Sequence, residues 1–319
     1  MEQLPKGANF VRGKTLWEIG LNIAGNPATP YGGNRDMIIT VGSGSGERFR
    51  PWLRLATGSA ILAEEVAAGG VECAFVNPSA LLTQAYRGVG LFKKPLPLRI
   101  IASYPSWDRM VFAAHPRSGI RSLADIKSKR YPLRISVRED PTHSTHVLIE
   151  QAFALHGFTL KDVESWGGRL ILCGGPSDKR RLEPMARGEI DAVFDEGIKV
   201  WLNEALAAGL VPLELNEDEF AAMGKLGWRR VPLPRSRYPG LAKDFETLDF
   251  SGWPIYCNAS LPDKTAYDIC VALAAREAEI PFEKGTDGSA VNMVRETDTT
   301  PMDVPLHPGA ERWLREQAK

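Results

Sequence analysis

Short apolar runs alternate with longer segments of helical periodicity along most of the chain, and this alternation restricts the fold more than any other feature. The predicted strands include Met37–Val41, Val71–Val76, Leu133–Val137 and Ile190–Phe194. The predicted helices include residues 145–156, 198–208 and 263–277. Strands that alternate with helices are typical of α/β domains with parallel sheets. Residues 216–249 have a mixed, proline-containing pattern, and there we predict surface structure.

The length of the chain indicates how many lobes to expect, and its net charge limits the classes of partner. A chain of 319 residues is long for one hydrophobic core, so we expect two lobes. Lys plus Arg and Asp plus Glu each number 39, which gives a formal net charge of zero. Such a chain has no bulk field to attract nucleic acid or an anionic membrane. No apolar run approaches the roughly 20 residues of a membrane span, so no transmembrane segment is expected.

Residues 1–36 are predicted to be an N-terminal extension with a short helix near 14–23. Glu18, Asn22 and Gly25 interrupt its only apolar stretch, so it lacks the apolar core of a secretory signal. As the sequence stands we expect a cytoplasmic protein, or a periplasmic one if a leader has been removed.

The four cysteines, Cys73, Cys173, Cys257 and Cys270, are widely separated. They form no CxxC motif and no Cys/His pattern with the spacing of metal ligands. We therefore expect buried thiols, no metal and no cofactor, and a disulfide stays open as an alternative.

A glycine-rich turn, Gly42 to Gly46, follows the first predicted strand. We predict that a helix comes next, with one face formed by Trp52, Leu55, Ala56, Ser59, Leu62, Ala63 and Val66. Backbone amides at Gly44 and Ser45 could then approach a ligand carboxylate closely, and Arg48 could hold it. The alternatives are a turn that only packs the helix on the sheet and an arginine on the solvated surface.

Three further groups of polar residues follow predicted strands or open predicted helices. In an open α/β sheet, the carboxyl ends of the strands line the ligand crevice. We therefore predict that these residues contact a ligand: Asn77, Ser79, Arg138, Thr142, His143, Ser144, Asp195 and Glu196. The acids would accept hydrogen bonds from an amine or hydroxyl of the ligand. For most of them plain helix capping is an equal alternative.

Two aromatic residues near the predicted lobe crossings, Trp253 and Tyr256, could enclose the apolar part of a ligand, as could Trp107. Aromatic side chains in strands are more often part of a core, and that alternative stays open.

The order of these segments resembles the TAXI-type solute receptors of TRAP transporters over roughly residues 37–319. The resemblance rests on the segments ITVGSGSGERFRPW, GGVECAFVNPSALLTQAYRG, RIIASYPSWDRMVFAAHPRSGIRSLADIKSKR, RRLEPMARGEIDAVFDEG and PLHPGAERWLRE. It implies an α/β, two-lobed type II periplasmic-binding-protein-like fold with an interlobe ligand cleft. Lobe one would comprise residues 37–113 and 250–319, and lobe two residues 114–249.

The resemblance also implies a function. Such receptors bind a carboxylate or another small organic solute in the cleft, pass it to a membrane permease and are not enzymes. This chain departs from the family at REDPTHS, residues 138–144, where relatives have small residues, and at the acids 195–196. We therefore do not carry over the usual ligand of the family. Because the acids 195–196 would repel a second carboxylate, we expect an amino-acid-like or hydroxylated acid as the ligand.

Two other functions remain compatible with the same scaffold, since a fold alone does not settle function. One is a cytosolic decarboxylase or lyase of small organic acids, with His143, Asp195 and Glu196 as catalytic groups and Arg48 or Arg138 holding the substrate. The other is a cytosolic ligand sensor that acts on a protein partner.

Overall fold

The computed structural model describes residues 8–26, 28–30, 37–42, 52–57, 60, 62–284 and 286–318. Its strands are β1 Ile38–Gly42, β2 Trp52–Ala56, β3 Cys73–Phe75, β4 Leu98–Tyr104, β5 Arg109–Ala114, β6 Arg134–Arg138, β7 Arg169–Cys173, β8 Ala192–Asp195, β9 Val211–Pro212, β10 Arg230–Leu233, β11 Phe245–Asp249 and β12 Trp253–Asn258. Its helices are α1 Ala8–Gly25, α2 Leu62–Ala67, α3 Ser79–Arg87, α4 Leu123–Lys129, α5 Ser144–Ala154, α6 Leu160–Ser165, α7 Lys179–Ala186, α8 Leu202–Ala207, α9 Glu217–Lys225, α10 Asp263–Ala275, α11 Ala290–Met293 and α12 Pro308–Gln317. Within these ranges, none of the helices is long and apolar enough to span a membrane.

The strands form two sheets. The first has the order β1-β2-β3-β12-β4, in which β2 and β3 are parallel and β12 runs antiparallel to both β3 and β4. The second has the order β10-β11-β5-β8-β6-β7, and β9 also pairs with β5. Strand β6 is parallel to β7 and β8, whereas β5 is antiparallel to β8. Both sheets are therefore mixed rather than wholly parallel. The antiparallel pairs include β12 in the first sheet and β5 in the second, and these are the strands on which the chain enters each sheet after a crossing.

The chain crosses between the sheets twice. The first crossing, residues 105–108, joins β4 to β5, and the second, residues 250–252, joins β11 to β12. The prediction of an α/β chain with two lobes joined by two crossings is confirmed. Strand β5 lies in the second sheet, so the first change of sheet comes a few residues before the boundary predicted at 113.

The two lobes also pack against each other beside α3. One apolar cluster includes Leu82 of lobe one together with Phe153 and Trp228 of lobe two. The indole Nε1 of Trp228 donates to Gln151 Oε1 at 2.7 Å, and the amides of Gln151 and Gln84 bond to each other. The lobes therefore share buried surface on this side of the crossings.

The predicted helix across Trp52–Val66 is wrong in its first half. Residues 52–56 form strand β2, and the helix begins only at Leu62. Short apolar segments do not by themselves distinguish a strand from a helix. Parallel pairing of Leu55 with Cys73 and of Ala56 with Ala74 decides the conformation here.

The predicted helix in the N-terminal extension is confirmed as α1 and is longer than expected. Several of its large apolar side chains, among them Leu16 and Ile19, are exposed.

Candidate functional site

A buried cluster of charged residues lies at the carboxyl ends of β6 and β8. These parallel strands are neighbours in register, so Arg138 and Asp195 end side by side. The Arg138 Nε lies 2.8 and 2.9 Å from the two Asp195 oxygens, and its Nη2 donates to Glu196 Oε1. The structure thus brings together three of the residues predicted from the sequence. It also shows that they pair with one another, which buried charges require.

A fourth member of this cluster, Arg181 of α7, was missed by the sequence analysis. Its Nη1 lies 2.5 Å from Asp195 Oδ2, and its Nε donates to Ser136 Oγ at 2.9 Å. Arg181 is fully buried, while its neighbour Arg180 is largely exposed. The two arginines are adjacent on α7, and they differ because one side of this helix lies toward the cluster and the other toward solvent. The sequence does not clearly indicate which side is buried.

The start of α5 lies beside this cluster. The ring Nε2 of His146 is 2.7 Å from the backbone oxygen of Arg138, so this nitrogen is the N–H donor. His143 caps the helix, since its Nδ1 accepts from the backbone N–H of Thr145. The capping alternative therefore holds for His143.

The two other predicted residues at the start of α5 are more accessible. Ser144 is half-buried, and the exposed Thr142 donates its hydroxyl to Asp140 at 2.7 Å.

The residues predicted on the lobe-one side are only partly available to a ligand. Ser79 donates its hydroxyl to the Pro301 oxygen at 2.7 Å, and its backbone N–H contacts the oxygen of Gly252 at 3.0 Å. It therefore holds the second crossing in place. Asn77 Oδ1 is buried and has no hydrogen-bond partner within the described ranges. Gly44, Ser45 and Arg48 lie outside the described residues.

The three aromatic residues predicted near the lobe crossings differ in their surroundings. Tyr256 is fully buried in a core cluster, where burial raises its pKa, so a ligand contact through Tyr256 is not retained. Trp253 keeps 37% of its surface exposed and stacks on Tyr104 with ring centroids 5.0 Å apart. Trp107 is buried, with the guanidinium groups of Arg109 and Arg237 at 4.3 and 3.7 Å from its ring centre. It is part of the core rather than a ligand platform.

The two crossings are tied together by a second buried polar cluster that the sequence analysis did not find. Asp108 accepts hydrogen bonds from the backbone N–H groups of Arg109 at 2.8 Å and Gly197 at 2.9 Å. Arg109 Nη1 donates to Asp249 Oδ1 and to Ser251 Oγ, each at 2.8 Å. The first crossing thus contacts both the second crossing and the turn that follows Glu196.

Burial raises the pKa of the Asp108 carboxyl to about 6, although backbone hydrogen bonds and Lys199 act in the opposite direction. Since an unfolded aspartate titrates near 3.8, the folded protein keeps this proton between about pH 4 and 6, whereas the unfolded chain releases it. Protonated Asp108 therefore contributes stability that is complete below pH 4 and is lost as the pH rises through 6.

Comparison of the wild type with Asp108→Asn tests this assignment. The free energy of unfolding of the wild type, relative to the variant, is expected to fall by about 2 kcal/mol between pH 4 and pH 7. Urea denaturation of both proteins at several pH values measures the difference. A difference that stays constant with pH would show that Asp108 titrates normally in the folded state.

The described residues contain no group of three or more His, Cys, Asp or Glu side chains that could hold a metal ion. Both oxygens of Asp195 contact a guanidinium group, so this carboxylate is a counter-ion within the cluster. The arrangement can hold charged groups in place.

No known protein-family model matches this chain. Among solved structures, it is similar to the alkanesulfonate-binding protein SsuA from Xanthomonas axonopodis pv. citri bound to MOPS, at 14% identity over 81% of this chain and 70% of that one, with a TM-score of 0.29. A binding protein component of an ABC phosphonate transporter from Pseudomonas aeruginosa is 12% identical over 68% of this chain and 60% of its own, with a TM-score of 0.36. The Trichodesmium protein IdiA (FutA), in complex with iron and citrate, is 13% identical over 80% of each chain, with a TM-score of 0.35. At these scores the ligands are properties of those proteins alone.

Proposed function

We propose that this chain is a solute-binding protein that closes its two lobes on a small organic acid carrying an amine or hydroxyl group. One observation carries the proposal. Arg138 and Glu196 form a nearly buried pair at the strand ends, and each keeps an atom, Nη1 and Oε2 respectively, without a hydrogen-bond partner in the described part of the chain. The free guanidinium nitrogen suits a carboxylate, and the free oxygen suits an ammonium or hydroxyl group.

The charge balance of the cluster supports a zwitterionic or hydroxylated ligand over a dicarboxylate. Two arginines, Arg138 and Arg181, face two acids, Asp195 and Glu196, so the cluster is neutral. A second carboxylate would be repelled by Glu196, whereas an ammonium group would be attracted to it. Gly44, Ser45 and Arg48 remain proposed contacts for the carboxylate on the lobe-one side, through backbone amides and a guanidinium group, and Asn77 would add a polar contact. The first described element after this turn is strand β2, so the proposal no longer includes a helix N-terminus at the carboxylate.

Ion pairs between the lobes support closure as the functional event. Lys199 of lobe two pairs with Glu283 of lobe one, and Arg229 of lobe two contacts Asp303 at 2.8 Å and Glu296 at 2.7 Å. All of these side chains are partly exposed, so each pair adds only a little stability and can separate when the lobes open.

The finer proposal follows from the sequence resemblance: a TAXI-type receptor that passes its ligand to a membrane permease, with export to the periplasm as part of that proposal. Binding of the same acid by a cytosolic sensor would use the same cleft.

A matched set of four small molecules tests the ligand class: an α-amino acid, the 2-hydroxy acid of the same carbon skeleton, the plain carboxylic acid and the plain amine. At about 100-fold excess over Kd, a true ligand is expected to raise Tm by roughly 5 °C. We expect this shift for the amino or hydroxy acid and a smaller one for the plain acid and amine. Equal shifts for the plain acid, or none for any skeleton tested, would count against the proposal.

Titration calorimetry on any amino-acid ligand found in this way tests the site. Glu196→Gln is expected to weaken binding about tenfold or more while leaving affinity for the plain acid unchanged, because it removes the charge that faces the ammonium group. Asn77→Ala and Thr142→Ala are also expected to weaken binding without unfolding the protein. The matched control is Glu189→Gln, since Glu189 is exposed and pairs with Arg187. If the three site variants all bind like the wild type, the site lies elsewhere.

A further inference from the structure

Three of the four cysteines lie together on the α10 side of the first sheet. Cys73 is on β3, Cys257 is on β12 and Cys270 is on α10, and all three belong to one buried apolar cluster. Cys173, on β7, lies in the other lobe. The sequence separation of the three residues gives no indication of this proximity.

Cys73 and Cys257 are directly opposite each other in the antiparallel pair of β3 and β12. In the same register, Val76 lies opposite Pro254, and its backbone N–H donates to the Pro254 oxygen at 3.2 Å. Hydrogen-bonded and non-hydrogen-bonded pairs alternate along such a ladder, so Cys73 and Cys257 form a non-hydrogen-bonded pair. In that kind of pair the Cα atoms are about 4.5 Å apart and the side chains are on the same face, within the range that disulfides span.

Cys270 is placed differently. Its sulfur is directed toward the backbone oxygen of Ile101 on β4, at 3.8 Å. Cys73 is therefore the better partner for Cys257.

A cavity gives small molecules a route to this pair. It lies between the first sheet and α10, has a volume of about 520 Å³ and is lined mainly by apolar side chains. Cys73 is in its wall, together with Phe75, Ile255 and Ile269. A molecule as small as hydrogen peroxide fits this space, and Cys73 exposes only 1% of its surface, so contact with the thiol requires a small local opening of the wall.

We propose that Cys73 and Cys257 are a redox-sensitive pair, which a hydroperoxide converts into a disulfide across β3 and β12. The Cys73 thiolate attacks hydrogen peroxide, which breaks the O–O bond, forms the Cys73 sulfenic acid and releases hydroxide. The Cys257 sulfur then attacks the Cys73 sulfur, forms the S–S bond and expels the sulfenic oxygen as water. In sum, two thiols and one peroxide give one disulfide and two waters.

Burial is expected to slow this reaction, because it raises the pKa of the reacting thiols. The pKa of the Cys73 thiol is raised to about 12, and that of Cys257 is raised as well. Thiolate is scarce at neutral pH, so the reaction is expected to be slow at pH 7 and faster at pH 9.

The disulfide would connect the two strands that lead to and from the ligand cleft. Strand β3 runs directly into Asn77, and β12 begins directly after the second crossing. The closed loop would contain the whole second lobe, and long loops lose the most chain entropy when they are closed. We expect the oxidised protein to have a Tm roughly 5 °C higher than the reduced protein.

Peptide mapping of the full-length wild type tests the proposal. Trypsin places each cysteine on its own peptide: residues 55–87 for Cys73, 170–179 for Cys173, 244–264 for Cys257 and 265–276 for Cys270. After peroxide treatment and alkylation of the remaining thiols under denaturing conditions, we expect peptide 55–87 linked to peptide 244–264 and released by dithiothreitol. Cys270→Ala should keep this product, and Cys257→Ala should abolish it.

Other outcomes would overturn the proposal. These are a link between peptides 244–264 and 265–276, sulfinic or sulfonic acid at Cys73 without any link, or four alkylated cysteines after prolonged treatment at pH 9. If Cys257→Ala does not fold, the wild-type map still decides.

Discussion

Replacement of Asp195 with asparagine is expected to lower the free energy of unfolding by about 3–5 kcal/mol, since it breaks a buried ion pair by removing one partner. Asp195 is fully buried and its carboxylate contacts both Arg138 and Arg181. Asparagine has nearly the same shape, but it carries no charge, and its amide N–H groups would face guanidinium donors. Arg138 would then keep Glu196 as a counter-ion, whereas Arg181 would lose the acid that it contacts.

Urea denaturation measures this loss, and Asp268→Asn provides a matched control. Asp268 pairs with Lys264 on the surface of α10, one helical turn away, and both side chains are largely exposed. The same chemical change there is expected to cost about 0.5 kcal/mol or less. If the two variants lose similar amounts of stability, water must reach the Asp195 cluster, and the buried pairing described above is wrong.

The fold could be predicted from the sequence wherever a strand is apolar and fully buried. Val71–Val76, Leu133–Val137 and Ile190–Phe194 each overlap a strand of the structure, because a buried strand has a continuous apolar run in its sequence. Strands β10 and β11, inside the segment predicted as mixed surface structure, lack such a run. They form because β11 pairs with β5 and β10 pairs with β11, and the chain pattern does not show those tertiary contacts.

In the candidate site, too, the features that depend on neighbouring residues in the sequence could be predicted, whereas the contacts between distant segments could not. The position of Arg138, Asp195 and Glu196 at the ends of strands follows from the sequence, because strand ends are local features. Their mutual neutralisation does not follow from it, because Arg181 joins the cluster from a helix that is distant along the chain. Tyr256 was misplaced for a related reason, since the sequence shows that it is on a strand but not which face of that strand lies toward the cleft.

The C-terminal segment PLHPGAERWLRE contains a glycine whose role the structure explains. Gly309 is buried in the first turn of α12, which packs across α10. A Cβ atom at this position would lie 2.1 Å from the Asp263 backbone oxygen and 3.0 Å from the Tyr267 backbone nitrogen. Backbone atoms of a packed helix cannot move aside as a flexible side chain can, so the two helices would have to separate.

We therefore expect Gly309→Ala to lower the free energy of unfolding by about 3 kcal/mol, at the upper end of the usual cost of overpacking. The matched control is Gly224→Ala near the end of α9, where a Cβ would meet nothing within 4 Å. That change is expected to raise stability by about 0.5–1 kcal/mol, because alanine favours a helix more than glycine does. Opposite shifts of the urea midpoint for the same substitution would confirm that the close approach of α12 to α10 requires glycine at 309. Stabilisation in both variants would mean that α12 does not pack as closely on α10 as the structure shows, and the buried positions of His307 and Trp313 would then be in question as well.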